Sequence, residues 1–252
     1  MARTDSSAVA KALDLLTALA EAEGPLRLSE LASRVGLHRA TAYRSLAELT
    51  TRNFVVRDAD ERYILGWGLL RMTQSPAARH ALAAVAWPVL SKLAAEAGRI
   101  AGIEVLEREG CRVIDTVRSP RYKRFVGFGG EVFSPWLSGS GLTLLAFSGD
   151  AIAADFLGSA EADGLDVEEL DTRLQKVRRD GYAFMEGQLD PHIADVAVPL
   201  FGAGGHCRAA ISVTGFVHDL KEEDAAEVAE QARTAAAELE AILAGGHTET
   251  RE

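Results

Sequence analysis

Cysteine, tryptophan and proline are scarce in this chain, with 2, 3 and 7 copies among 252 residues. Cys111 and Cys207 stand far apart in β-like apolar surroundings, so packed free thiols are expected rather than a structural disulfide. The histidines (His38, His80, His192, His206, His218, His247) show no HxH, no HExxH and no cysteine at ligand spacing, which argues against a metal site, and no cofactor is expected. No apolar run approaches the roughly 18 residues that span a bilayer. The stretch MARTDSSAVAKALDLL lacks the unbroken apolar core and cleavage site of a secretion signal, so the expected location is the cytoplasm, with no membrane partner. Positive charge is also short, since 27 Lys and Arg face 37 Asp and Glu for a net charge of −10.

What is present is an ordinary globular composition, 48% apolar and 25% charged, long enough for one large or two modest domains. The charge is unevenly spread. Residues 1–75 carry ten basic and nine acidic side chains, leaving a net −11 to the rest, which suggests an acidic body behind a locally basic head.

The most informative stretch is SELASRVGLHRATAYRSLAEL at 29–49. It reads as two short helices joined by a turn at Gly36. The first is capped by the Ser29 hydroxyl, with Glu30 on the favourable end of the helix dipole. Leu31, Ala32 and Val35 form its inner face, Gly36 supplies the turn and Leu37 plugs the corner. The second helix spans 39–50 with Ala42, Leu46 and Leu49 as its buried stripe, which leaves Arg39, Ala40, Thr41, Tyr43 and Arg44 outward near its start. Small residues, hydroxyls and guanidinium forks there suit a helix that enters the major groove. FVVRDADERYILG then reads as a two-stranded wing around the turn 58–61, carrying Arg57 and Arg62. From 34 to 57 five arginines, Arg52 among them, oppose Glu48 alone; a solvated helical hairpin would not need that bias, and contact with DNA phosphates would.

Elsewhere, residues 7–23 read as a helix with two apolar stripes, one carrying Val9, Leu13, Leu16 and Ala20 and the other Ala8, Ala12, Leu15 and Leu19. One stripe packs on the helix-turn-helix and the other is free for a second subunit, as symmetric half-sites require. A helical linker runs from about 67 to 86, and a helix from about 77 to 97 holds Pro88, which either kinks it or opens a new helix. Strands follow at 100–107, 112–117 and 123–128, then helices at 138–147 and 167–179, strands at 194–201 and 209–215, and a helix at 222–243 that is alanine-rich on its inner face. The expected organisation is a head at 1–66, linker at 67–86, body at 87–245 and disordered tail at 246–252. The fold class is α+β, a winged helix-turn-helix ahead of a GAF- or PAS-like α/β domain with a mostly antiparallel sheet between helices.

Several separated motifs carry a family resemblance: AVAKALDLLTAL, LSELASRVGLHRATAYRSLAEL and RYILG in the head, and WPVLSKLAAEAG, VIDTVRSP, GSGLTLLA, LQKVRRDGYA, VAVPLFG and AAISVTG in the body. In order and spacing the chain resembles the IclR family of bacterial transcriptional regulators. That resemblance implies that Arg39, Thr41, Tyr43 and Arg44 approach bases and phosphates of a double-stranded operator, with Arg52, Arg57 and Arg62 bracing the backbone. It also implies a pocket for a small organic effector at Phe125, Leu137, Ser138, Gly139, Ile193, Asp195 and Ser212, and a homodimer or dimer of dimers. Two positions depart from the family pattern, Asp195 replacing a small neutral residue and Trp136 replacing a histidine.

The same residues can be read chemically. In PWLSGSGL the glycines permit close backbone approach, and the N–H groups opening the next helix can donate to an anion or carbonyl oxygen; the plainer alternative is that Ser138 caps the helix and the glycines make a turn. A buried carboxylate at Asp195 must be hydrogen-bonded, paired or protonated. It would repel acids, so an effector bearing a hydroxyl or amine donor and some apolar bulk to meet Phe125, Phe128 and Trp136 is expected, unless Asp195 pairs with an arginine outside the pocket. A hydrolase with Ser138 or Ser140 as nucleophile, helped by His192 and Asp195, is the competing reading, weakened by the lack of a G-x-S-x-G elbow; no catalytic residues are assigned. A DNA-binding protein without any ligand is a further alternative.

Overall fold

In the computed structural model, residues 7–245 are described apart from 23, 74, 126, 127, 163, 203 and 204. The expected tail at 246–252 lies outside the described residues. The chain divides into two compact units, Met1–Arg79 and His80–Glu252.

The first unit opens with α1 (Ala8–Ala20), capped by the Ser7 hydroxyl, which accepts from the Ala10 N–H at 3.1 Å. Of its two apolar stripes, Leu15 and Leu19 are buried while Val9 and Leu13 remain 69% and 57% exposed. Next comes α2 (Leu28–Arg34), which begins one residue earlier than expected. Leu28 packs against the core and draws the helix back. Ser29 therefore lies inside the first turn rather than capping it, and the Glu30 carboxylate accepts the Arg27 N–H at 2.6 Å instead. Gly36 turns the chain at φ +64°, and the Leu37 N–H closes the corner on the Ala32 carbonyl at 2.9 Å. In α3 (Arg39–Thr51), Ala42, Leu46 and Leu49 are buried at the helical spacing the sequence suggests. The wing pairs β1 (Val55–Arg57) antiparallel with β2 (Tyr63–Leu65). Its turn is held by Asp58, whose carboxylate accepts from the N–H groups of Asp60 and Arg62 at 2.9 and 2.8 Å.

Two helices follow, α4 (Trp67–Thr73) and α5 (Pro76–Ala97). Pro88 lies inside α5 and opens no new helix. It is exposed, as is Ala84 one turn before it, so the carbonyl that loses its partner faces water.

The second unit is built on a six-stranded antiparallel sheet whose strands are β3 (Ile100–Glu107), β4 (Gly110–Arg118), β5 (Val132–Phe133), β6 (Ala183–Glu186), β7 (Ile193–Phe201) and β8 (Cys207–Phe216), in the spatial order β5-β4-β3-β8-β7-β6. One face carries Ala101, Ile103, Val196, Val198, Ile211 and Val213 against α5 and the long α9 (Ala225–Leu243). The Ala229, Ala232 and Ala236 side chains of α9 are small enough to let it approach closely, and all three are buried. On the opposite side lie α6 (Gly139–Ala146), α7 (Asp150–Ala162) and α8 (Val167–Asp180). With both faces covered, the strands lose the polar alternation that would mark a solvent face.

The sheet departs from the sequence reading on one flank. The strand expected at 123–128 is absent over 123–125, where the chain turns after a single 3-10 turn, Pro120–Tyr122. Residues 126 and 127 of that expectation lie outside the described residues. Pro120 fixes the backbone at the start of the turn, and the Arg118 guanidinium holds the Phe125 carbonyl at 2.6 Å, which folds the segment back on itself. The edge strand is β5, only two residues long, paired with Cys111 and Arg112. Neither α7 nor β6 was among the expected elements.

Candidate functional site

Two surfaces carry chemistry. In the first unit the buried stripe of α3 leaves Arg39, Ala40, Tyr43 and Arg44 exposed and Thr41 half-buried along one side of its N-terminal half. No side chain caps α3 among the described residues; the Thr41 and Ala42 N–H groups donate to the His38 carbonyl at 2.9 and 3.0 Å, which leaves those of Arg39 and Ala40 at the uncapped start. Arg39 and Arg44 meet no carboxylate among the described residues. Arg52 and Arg57 do: Arg52 bridges Glu48 one turn back, and Arg57 sits 3.0 Å from Glu61 with its guanidinium 5.2 Å from the Tyr63 ring centre. Arg62 is half-buried, with its Nε enclosed and lacking a partner among the described residues.

The second surface is a cavity between the sheet and the start of α6. Its walls come from Ile100 and Glu104 of β3, Val113 and Thr116 of β4, Phe133 of β5, Met185 of β6, Ile193 and Asp195 of β7, and Ser212 and Thr214 of β8. Phe125, Phe128, Leu137, Ser138, Ser140 and the loop at 187–189 complete it. A bulge lets β4 contribute twice, because Ile103 pairs with Asp115 while Glu104 pairs with Val113. The extra residue, Ile114, turns to the helical core and leaves both Val113 and Thr116 on the cavity side. Including its mouth the cavity encloses about 620 Å³.

Six of the seven effector positions suggested by the sequence line this cavity. Gly139 does not, and neither does Trp136, which packs in the core around Leu142, Leu145 and Leu174. Gly139 acts through its backbone, its N–H donating to Asp195 Oδ2 at 2.8 Å, and the Ser140 N–H adds a second contact. The donors at the start of α6, expected to meet a ligand, are thus engaged by the protein's own carboxylate. Asp195 faces the cavity, and no arginine among the described residues serves as its partner. Burial pushes its carboxyl up to about 7, while the two backbone donors pull it down.

Ser138 fills both roles foreseen for it. Its hydroxyl caps α6 by accepting the Gly141 N–H at 3.1 Å, and it lines the cavity, 3.1 Å from the Ser140 hydroxyl. Gly141 allows the preceding turn to lie close, since a Cβ there would stand 2.1 Å from the Pro135 carbonyl oxygen. His192 is absent from the lining, and its N–H donates to Asp190. The grouping of Ser138, His192 and Asp195 that hydrolysis would need is not assembled. Cys111 is a buried free thiol, pushed far above its ordinary range by burial, and Cys207 is also free.

Of the lining residues that the sequence does not single out, Glu104 is the titratable one. It is 4% exposed, and its Oε1 accepts from the Ser212 hydroxyl at 2.9 Å. Burial first, with Asp195 adding, pushes its carboxyl up to about 8 against the pull of Ser212. The only sequence signal was an acidic residue inside the apolar run IAGIEVL, on the same strand face as Ile100 and Gly102.

A winged helix-turn-helix with a cationic recognition face, and a separate unit whose sheet encloses a small-molecule cavity, together define a ligand-responsive DNA-binding regulator. Residues 8–59 match the IclR helix-turn-helix domain and residues 74–241 match the bacterial transcriptional regulator IclR C-terminal domain. The chain belongs to the IclR family of transcriptional regulators. It is 30% identical to the glycerol operon regulatory protein of Streptomyces griseus, over 98% of this chain and 99% of that one. Its fold resembles that of an IclR-family protein from Rhodococcus sp., with a TM-score of 0.74 at 22% identity, covering 97% and 98% of the two chains. It also resembles an IclR homolog from Microbacterium hydrocarbonoxydans complexed with 4-hydroxybenzoate, with a TM-score of 0.58 at 22% identity, covering 95% and 100%.

Proposed function

We propose that Arg39, Ala40, Thr41, Tyr43 and Arg44 enter the major groove of an operator, with Arg52, Arg57 and Arg62 bracing the phosphate backbone. The cavity bounded by Phe125, Leu137, Ser138, Ile193, Asp195 and Ser212 holds the small effector that modulates that binding. The observation that carries the reading is the contrast among the arginines: Arg39 and Arg44 are exposed and meet no carboxylate among the described residues, beside an uncapped helix start, whereas Arg52 and Arg57 already have acidic neighbours. Domain limits of 1–66, 67–86 and 87–245 go with it. The protein acts in the cytoplasm, without a catalytic step, as a homodimer or dimer of dimers, a state supported by Val9 and Leu13 on the unused stripe of α1. The effector carries a hydrogen-bond donor. The Microbacterium homolog was crystallised with an aromatic acid, but a carboxylate in this cavity would face Glu104 and Asp195 with no basic side chain among the described lining residues.

The test is selection of duplexes from a random pool followed by gel shifts. Enriched paired half-sites whose binding weakens in Arg39→Ala and Arg44→Ala are expected; no enrichment, or unchanged affinity in both variants, would overturn the assignment.

A further inference from the structure

We infer that the cavity selects a compact amine, held as a cation by Glu104 with the lining phenylalanines around its apolar body. The inference deepens the effector reading above and rests on it.

Glu104 is the starting point. Only one of its two oxygens is used: Oε1 takes the Ser212 hydroxyl, while Oε2 is buried and meets no hydrogen-bond partner among the described residues. A buried carboxyl oxygen without a partner is costly, so a fold that keeps one in a cavity wall gains by supplying its partner. The backbone makes room for this arrangement. Any Cβ at Gly102 would stand 2.5 Å from Glu104 Oε1 and 2.6 Å from Ser212 Oγ.

Three features select among donors. Asp195 adds a second carboxyl to the same wall, and no lysine, arginine or histidine lines the cavity among the described residues. Electrostatics therefore favours a positive ligand over a neutral one and opposes a negative one. In the same lining, Phe125, Phe128 and Phe133 form a run of edge-to-face rings with centroids 5.7 and 5.4 Å apart. Such a wall accepts an apolar or aromatic body and favours a nearby cation through its ring faces. Finally, the walls enclose about 620 Å³ with the mouth included, which keeps the ligand compact.

The titration has a definite sign. Empty, Glu104 holds its proton up to about pH 8 and Asp195 up to about 7; the remaining titratable group facing Glu104 is the Cys111 thiol on β4, which stays neutral. When an ammonium group binds, the Glu104 proton leaves to the buffer and the carboxylate pairs with the cation. Affinity then rises about tenfold per pH unit below 8, because only the ionised fraction is competent.

The experiment uses the full chain and three probes that share one ring and differ in head group: benzylamine, benzyl alcohol and benzoate, titrated by calorimetry between about pH 6 and 8. Benzylamine is expected to bind at least tenfold more tightly than either other probe at the upper pH, to release a proton seen as buffer-dependent heat, and to lose at least tenfold in Glu104→Gln while benzyl alcohol does not. The proton release is read on the unaltered protein and does not depend on how the variant folds. Benzoate or benzyl alcohol binding as well as benzylamine would overturn the amine inference and leave the effector cavity standing. Failure of all three would overturn both.

Discussion

Replacing Glu104 by glutamine should stabilise this protein at alkaline pH, a direction opposite to that of most buried substitutions. An acid whose folded pKa is raised holds its proton in the native state, so its share of stability is intact below its ordinary range and is lost as pH climbs towards the folded value. For Glu104 that window runs from 4.5 to about 8. At about 1.4 kcal/mol per unit the full loss is about 5 kcal/mol, and water entering from the mouth reduces it, so about 2 to 5 kcal/mol is expected. Glutamine keeps an acceptor for the Ser212 hydroxyl and cannot ionise; its amide lacks a ready partner, which costs about 1 kcal/mol at low pH. The assay is urea unfolding followed by tryptophan emission between about pH 5 and 9. Trp67 and Trp87 are 73% and 56% exposed, so the change reports chiefly on Trp136 in the core beside α6. Wild type should lose stability more steeply than Glu104→Gln, which keeps the Asp195 share of the loss and levels off near pH 7, the two curves crossing at mildly acid pH. Parallel curves would mean that Glu104 is ionised in the folded protein, and the account of the cavity would fail with it.

Other consequences follow from single contacts. Arg44→Ala should weaken operator binding by ~1–3 kcal/mol if it reads a base, and Arg57→Ala should lower affinity similarly on all sequences, both measured by gel shift at fixed salt. Leu13→Asp, on the 57% exposed stripe of α1, should shift the sedimentation profile from dimer to monomer while leaving the helical circular dichroism signal unchanged. Gly141→Ala would drive a Cβ into the Pro135 carbonyl, at 2.1 Å, a backbone contact that cannot swing aside; a loss of more than about 2 kcal/mol in urea unfolding is expected. Tyr122→Phe leaves the Phe216 N–H, now bonded to the phenol at 3.1 Å, without a partner, and should cost about 1–3 kcal/mol by the same measurement.

How much of this was legible in the sequence depended on the range of the interactions that decide each element. The helix-turn-helix is local: Ala32, Ala42, Leu46 and Leu49 sit at helical spacing in the chain and in the core alike, and Gly36 marks its own corner. The inner face of α9 was readable for the same reason. Non-local features were not. The two-residue β5 has no periodicity to detect, and the stretch before it, rich enough in β-formers to suggest a strand, is bent by Pro120 and by the reach of Arg118 to Phe125. Trp136 was expected to meet a ligand but turns into the α6–α8 core, a choice fixed by helices that follow it in the chain.

Glu104 and Asp195 show the limit most clearly, because the chemistry of a buried carboxyl depends on what lies across the fold from it. The sequence alone marks Asp195 as a carboxyl that repels acids, and it does reach the cavity. Its proximal oxygen, however, is held by the Gly139 N–H from a helix start 56 positions earlier in the chain. That bond leaves α6 without free donors for an anion, so the same contact that anchors the helix also removes the anion-binding option the glycine-rich turn suggested. Glu104, unremarked in an apolar strand, is left with a buried oxygen that meets no partner among the described residues. The two acids divide the work, one satisfied by the fold and the other awaiting a partner, and the division follows from β3 and β7 flanking β8 in the sheet, an order no local pattern in either strand encodes.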